Sequence, residues 1–140
     1  MAYSFESRVR FSEIDKNENM TLHSMVNYFQ DCATFHSEEV GFGFHRNRAA
    51  GQAWVIAAMQ IRVERWPQFN EQIRISTWAK KFRGMIGLRS NSIETAGGEF
   101  LVAANAQWVY MDMNRQVPMR VPAEQTAAYE AILSLQAQES

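Results

Sequence analysis

Along the first eleven positions apolar and polar residues alternate: Tyr3, Phe5, Val9 and Phe11 fall at odd positions against Ser4, Glu6, Arg8 and Arg10, interrupted only at Ser7. That two-residue period predicts a half-buried strand over about 3–11. The period then changes. Leu22, Met25, Val26, Phe29, Cys32, Ala33, His36 and Val40 recur at spacings of three and four, with Asn27, Gln30, Asp31 and Glu38 outside the stripe. This is one amphipathic helix over about 22–40, roughly five turns of 3.6 residues, with Thr21 suited to its N-cap and Gly41 to its stop. Residues 43–52 have no clear period and read as a loop or a short helical turn. From Ala53 the two-residue period returns. Val55, Ala57, Met59, Ile61 and Val63 share a face in a strand over about 53–66, and Pro67 ends the run. Ile73, Ile75, Thr77 and Ala79 alternate with Arg74, Ser76, Trp78 and Lys80 over about 71–82. Arg83-Gly84 marks a turn, and strands over about 85–95 and 100–112 flank Gly97-Gly98, a pair able to take the positive φ of a tight hairpin. A short C-terminal helix is expected over about 123–135. One strand, one long helix and four long strands predict an α+β fold, an antiparallel sheet of five or six strands wrapped around a single central helix.

The chain has 140 residues, enough for one domain with a real core, and no repeat or linker divides it, so a single domain over 1–140 is expected. A hydrophobic fraction of 46% excludes a disordered chain, while the longest apolar run, Ala53–Met59, is far too short to span a membrane. No basic segment followed by an apolar one opens the chain, so no signal peptide is indicated. One cysteine cannot form an internal disulfide, which suits a reducing cytoplasm. A net charge of −1 gives no bulk field for nucleic acid. The three histidines, His23, His36 and His45, lack close ligand spacing, so no metal site is expected.

The chemistry concentrates in the polar loop before the helix, EIDKNENMTLH. A carboxylate at the mouth of a helix can activate water or attack an acyl carbonyl, while first-turn N–H groups stabilise the oxyanion. Asp15 is the candidate, with Asn17 and Asn19 as possible carbonyl or water ligands and Glu18 as a reserve carboxylate. The ordinary role of Asp and Asn in such loops is to form turns. His23 falls in the first helical turn, where the helix dipole favours a neutral imidazole; a solvent-facing histidine there is equally ordinary. His36 and Cys32 lie on the apolar stripe and read as core residues. Lys80, Lys81, Arg83 and Arg89, with Arg46 and Arg48, form a set of cations suited to phosphates or an acidic protein face, although strand ends commonly carry solvated charge. Trp54, Trp78 and Trp108 read as core, and Met59, Met85 or Met111 as possible lining of an acyl tunnel.

Three blocks, VRFSEIDKNENMTLHSMVNYFQDCATFHSEEVGF at 9–42, AWVIAAMQIRVERWP at 53–67 with IRISTW at 73–78, and AQWVYMDMNRQVPMRVP at 106–122, resemble the hotdog-fold thioesterases. The likeness is greatest to the N-terminal half of acyl-carrier-protein thioesterases and extends to single-domain proteins of the 4-hydroxybenzoyl-CoA thioesterase type. The resemblance implies hydrolysis of acyl thioesters of acyl carrier protein or coenzyme A, fatty or polyketide in nature, without a cofactor. It also implies a homo-oligomer, dimer or dimer of dimers, because those relatives carry two hotdog units in one chain and this chain has length for one. Their Asp, Asn and His at alternate positions lie in the second unit; the comparable spacing here is Asp15, Asn17 and Asn19, with Asn in place of His. Asp15 and His23 resemble the Asp and His of the single-domain type at a spacing one residue longer. The residues implied are therefore Asp15, Asn17 and His23 for catalysis, and Asn19, Lys80, Lys81, Arg83 and Arg89 for substrate. Asn19 in place of His motivates an alternative, a non-catalytic acyl-thioester-binding or interaction module. A dehydratase or isomerase is a weaker one, because the His-Phe-Pro-Gly loop of that hotdog branch is absent.

Overall fold

Leu22–Glu39 forms the long helix α1, and its boundaries follow from local chemistry. The Thr21 hydroxyl accepts the N–H of Ser24 at 3.1 Å, closing the N-terminus. At the other end Gly41 takes φ +89°, which lets its own N–H reach Glu38 O at 3.1 Å and the Phe42 N–H reach Ser37 O at 3.0 Å. A residue with a Cβ would be strained there. The structure, a computed structural model, describes residues 3–130.

The strands are β1 (Tyr3–Arg8), β2 (Gln52–Val63), β3 (Gln72–Arg83), β4 (Ile86–Thr95), β5 (Phe100–Asp112) and the short β6 (Val117–Pro118). All pairings are antiparallel in the order β1-β3-β4-β5-β2, with β6 beside the end of β5. α1 packs on one face of this sheet, as the sequence predicts for a sheet wrapped around one helix. Met25, Tyr28, Phe29 and Cys32 bury against Ile73 and Ile75 of β3, Ile93 of β4 and Leu101, Val102 and Ala104 of β5. Phe44–Ala49 forms a one-turn-and-a-half helix, α2, where a loop or helical turn was expected. Residues 123–130 are helical (α3); the remainder of the expected helix, to 135, lies outside the described residues.

Three expectations are corrected by local geometry. The first strand ends at Arg8, and Phe11–Glu13 winds into a 3-10 turn, so Phe11 does not continue the buried face. It is 80% exposed and meets only the edge of the Phe69 ring. In β2 the register shifts between Ile56 and Ala58, so one extra residue reverses the alternation. Met59, Ile61 and Val63 pack on the core as expected, whereas Val55, before the shift, and Ala57, the extra residue itself, are exposed. Two bulky residues expected in the core or an acyl tunnel, Trp78 and Met85, are also exposed.

Candidate active site

The loop before α1 is a tight turn built by Asp15. Its Oδ1 accepts the N–H groups of Asn17 at 2.8 Å and Asn19 at 3.2 Å, and its own N–H donates to Asn19 O at 2.9 Å. Glu18 sits at φ +66° and donates its N–H to Asp15 O, completing the reversal. The turn is anchored on both sides, by a bridge between Ile14 and Met20 and by one between Asn19 and Gln68. Asp15 is exposed, and its Oδ2 has no hydrogen-bond partner among the described residues. Both roles foreseen for it are thus compatible: one oxygen organises the turn and the other is open to solvent.

Beyond the turn, Thr21 caps α1, and the first intrahelical bond runs from the Met25 N–H to Thr21 O at 3.1 Å. The N–H groups of Leu22 and His23 therefore have no acceptor within the helix. His23 is exposed, with Nε2 3.3 Å from Asn27 Nδ2. It lines a polar cleft of about 480 Å³ with Arg10, Glu13, Ser24, Tyr28 and Asp31; Asp15 does not line that cleft.

Glu13 was not singled out from the sequence, yet it organises this end of the molecule. It is 7% exposed; Oε1 accepts the Arg10 N–H and the Tyr28 hydroxyl, both at 2.8 Å, and Oε2 accepts Arg10 Nη2 at 2.8 Å. Burial, foremost, raises the pKa of Tyr28, so its hydroxyl stays protonated and donates. The three-residue spacing from Arg10 was the available sequence signal. Its partner Tyr28 was not accessible without the fold.

The expected cations divide into two sets. Lys80, Lys81 and Arg83 are exposed, Lys80 as the extra residue where β3 slips its register against β4. Arg89 points the other way. It is 8% exposed, on the inner face of β4 with Gly87, Asn91 and Ile93, and it donates through Nη1 to His36 Nδ1 at 2.9 Å and to Thr77 Oγ1 at 3.3 Å. Arg46 is tied to Glu124 at 3.0 Å and lies over the Phe42 ring. Burial, helped by the Arg89 charge, lowers the His36 pKa to about 4, so its imidazole is neutral. Burial also pushes the Cys32 thiol up to about 12, consistent with a core cysteine that is not a nucleophile. Among the described residues, no group of three His, Cys, Asp or Glu could hold a metal ion, and no helix is long and apolar enough to cross a membrane.

A second cavity, of about 110 Å³, lies at the other end of α1, between α2, β2, β3, β4, β5 and α3. Ser37, on its wall, is sixteen residues from Thr21, roughly 24 Å along the helix at 1.5 Å per residue. Gly87 shapes this wall, because a Cβ there would come within 3.1 Å of the Trp54 ring.

A curled antiparallel sheet closed on one buried helix defines a hotdog-fold protein. The DHNA-CoA thioesterase from Staphylococcus aureus superposes with a TM-score of 0.88 at 15% identity, covering 99% of this chain and 95% of that one. An acyl-ACP thioesterase from Bacteroides thetaiotaomicron superposes with a TM-score of 0.79 at 20% identity, covering 86% of this chain and 49% of that one. Sequence carries the assignment further: the chain belongs to the acyl-ACP thioesterase N-terminal domain family, whose model matches residues 1–129. It is 30% identical over 131 residues to oleoyl-acyl carrier protein thioesterase 2, chloroplastic, of Arabidopsis thaliana, an alignment that covers 88% of this chain and 35% of that protein. The chain thus spans about a third of that relative and about half of the Bacteroides one.

Proposed function

We propose that this protein hydrolyses acyl thioesters, of coenzyme A or acyl carrier protein, to a free acid and a thiol. The observation that carries the proposal is an exposed carboxylate fixed by its own turn immediately before a helix whose first N–H groups are unengaged, in a chain of the thioesterase family. Water activated by Asp15 Oδ2 attacks the thioester carbonyl, and the Leu22 and His23 N–H groups receive the developing oxyanion. Asn17 and Asn19 hold the water or carbonyl oxygen, and the His23 imidazole helps to orient them. Lys80, Lys81 and Arg83 bind the phosphates of coenzyme A or the acidic face of a carrier protein. Lys81 stands nine residues along β3 from Gln72, roughly 30 Å at 3.3 Å per residue, so the cations and the Asp15 loop occupy opposite ends of one chain. A homodimer brings the two together. The buried lone Cys32 suits a reducing compartment such as the cytoplasm.

The test is release of free thiol from a panel of acyl-CoA and acyl-carrier-protein thioesters, by the wild type and by Asp15→Asn. The wild type should release thiol, and the variant should lose about 10²- to 10⁴-fold in kcat, the usual worth of a positioned general base, with its fold intact. Binding without release by the wild type would make the protein an acyl-thioester-binding module, and undiminished turnover by Asp15→Asn would remove Asp15 from the mechanism.

A further inference from the structure

Asp15 stands on the first arm of a short hairpin, and Glu13 stands two residues before it on the same arm. Ile14 between them is extended, at φ −113° and ψ 157°, and packs against the core, so Glu13 and Asp15 fall together on the other face of that arm. The second arm is held to the connection between β2 and β3, where Asn19 bridges to Gln68 and the Met20 N–H donates to Pro67 O at 2.7 Å. The first arm is held to α1 at two points, and both belong to Glu13. Its carbonyl accepts the Thr21 N–H at 2.9 Å, at the N-cap, and its carboxylate accepts the Tyr28 hydroxyl at 2.8 Å, two turns further on. These points lie roughly 10 Å apart along the helix at 1.5 Å per residue.

A single attachment leaves the arm free to pivot at the end of the helix; two set its angle. What that angle controls is the separation between Asp15 Oδ2, on the arm, and the unengaged N–H groups of Leu22 and His23, on the helix. Both partners of the second attachment are buried, and the Tyr28 oxygen also meets Ser7 Oγ of β1 at 2.9 Å, so the clasp is braced against the sheet as well. A hydrogen bond to a carboxylate out of water is among the stronger ones, and it holds its geometry.

We propose that Glu13 and Tyr28 are positioning residues of the hydrolytic site: their hydrogen bond sets the Asp15 carboxylate against the first turn of α1, where an attacking water and a developing oxyanion must be served together. This rests on the hydrolytic reading above and extends it to two residues that act through Asp15 rather than on the substrate. A displacement of about 1 Å in a reacting group costs on the order of 10²-fold in rate. The cost falls on kcat, since the clasp touches none of Lys80, Lys81 and Arg83, the residues assigned to binding. Arg10 is the lesser partner. Its side chain is 67% exposed, so it can leave the carboxylate for solvent without freeing Tyr28.

Steady-state thiol release by the full chain, with each variant shown to be folded by its urea transition, tests the proposal. Tyr28→Phe, which deletes one buried oxygen, should lower kcat about 10- to 100-fold and leave KM within about twofold of the wild type. Glu13→Ala should fall as far. Glu13→Gln keeps a side-chain acceptor for the Tyr28 hydroxyl and should recover at least about fivefold over Glu13→Ala. The double variant Glu13→Ala, Tyr28→Phe should lose no more than the worse single one, because both remove the same bond. A Tyr28→Phe kcat within about twofold of the wild type, or losses that multiply in the double variant, would overturn the assignment. Glu13→Gln as slow as Glu13→Ala would also overturn it, by giving the effect to the charge of Glu13 rather than to its bond; that comparison stands even if Tyr28→Phe fails to fold. A wild type that releases no thiol removes the hydrolytic reading and the assignment with it, and is seen before any variant is made.

Discussion

His36 and Arg89 meet at 2.9 Å inside the molecule, and the imidazole can accept that hydrogen bond only while Nδ1 is unprotonated. Its folded pKa of about 4 lies below the ordinary 6.5, first because of burial and then because of the adjacent guanidinium. Tyr3 stacks on the ring and Tyr129 meets it edge-on. The sign follows. Above pH 6.5 His36 is neutral in both folded and unfolded chains and contributes no pH dependence; between 6.5 and 4 the unfolded chain binds the proton that the folded one refuses, so stability falls as the pH is lowered. The loss attributable to His36 between pH 7.5 and 4.5 should be on the order of 2–3 kcal/mol, read from urea unfolding at those two values. His36→Gln should flatten that part of the profile, and an unchanged slope in the variant would assign the loss to other groups. At this scale the sequence was legible in identity but not in direction. Arg89 and Asn91 lie in phase with Ile93 on β4, a two-residue period that puts them on one face, but cations are so commonly exposed that the phase alone does not place Arg89 inside. Asp15 was legible as a loop carboxylate; that one of its oxygens closes the turn is visible only in the hydrogen bonds.

Elements meet at Glu13, which ties the chain leaving β1 to the middle of α1. Its carboxylate holds Arg10 on the 3-10 turn and the Tyr28 hydroxyl on the helix, and Tyr28 in turn lies 2.9 Å from Ser7 Oγ on β1. Replacing Glu13 by Ala leaves the Arg10 N–H and the buried Tyr28 hydroxyl each short of an acceptor and should cost about 1–3 kcal/mol, seen as a lower urea midpoint with an unchanged m-value. A change within a few tenths of a kcal/mol would mean that Ser7 and the Arg8 carbonyl, 3.3 Å from Tyr28, suffice. The same region explains what periodicity reads well and what it does not. α1 has a long unbroken pattern, and its bounds, like those of β5, match the sequence reading closely, although Leu101 is an extra residue in β5 against β4. β2 and β3 each contain one extra residue, and a period-two pattern carried through a bulge assigns one half to the wrong face, as with Val55. Phe11 was misplaced for a related reason, since the clasp of Arg10 by Glu13 ends the strand and no alternation signals it.

For the whole molecule the decisive feature is the edge of the sheet. β2 is twelve residues long, pairs only with β5 among the described residues, and exposes Val55, Ala57 and Ala58. A long unprotected edge invites a further strand, and the proposed homodimer would pair β2 with its own copy antiparallel across a two-fold axis. Such an axis would reverse the second subunit end for end, so that each end of the dimer would carry the Asp15 loop of one subunit and Lys80, Lys81 and Arg83 of the other. The shared-site reading therefore predicts complementation between two defective chains. Asp15→Asn lacks the base, and a chain with Lys80, Lys81 and Arg83 all replaced by Gln lacks the phosphate cations. Mixed after partial denaturation and refolding, half of the dimers should be mixed, each with one end wholly intact and the other doubly defective. Thiol release should then recover to about one quarter of the wild-type rate, well above the mean of the two parents. Sedimentation should show a dimer at micromolar concentration throughout. If each chain held a complete site of its own, mixing would return only that mean, and a monomer with full activity would remove the dimer from the mechanism.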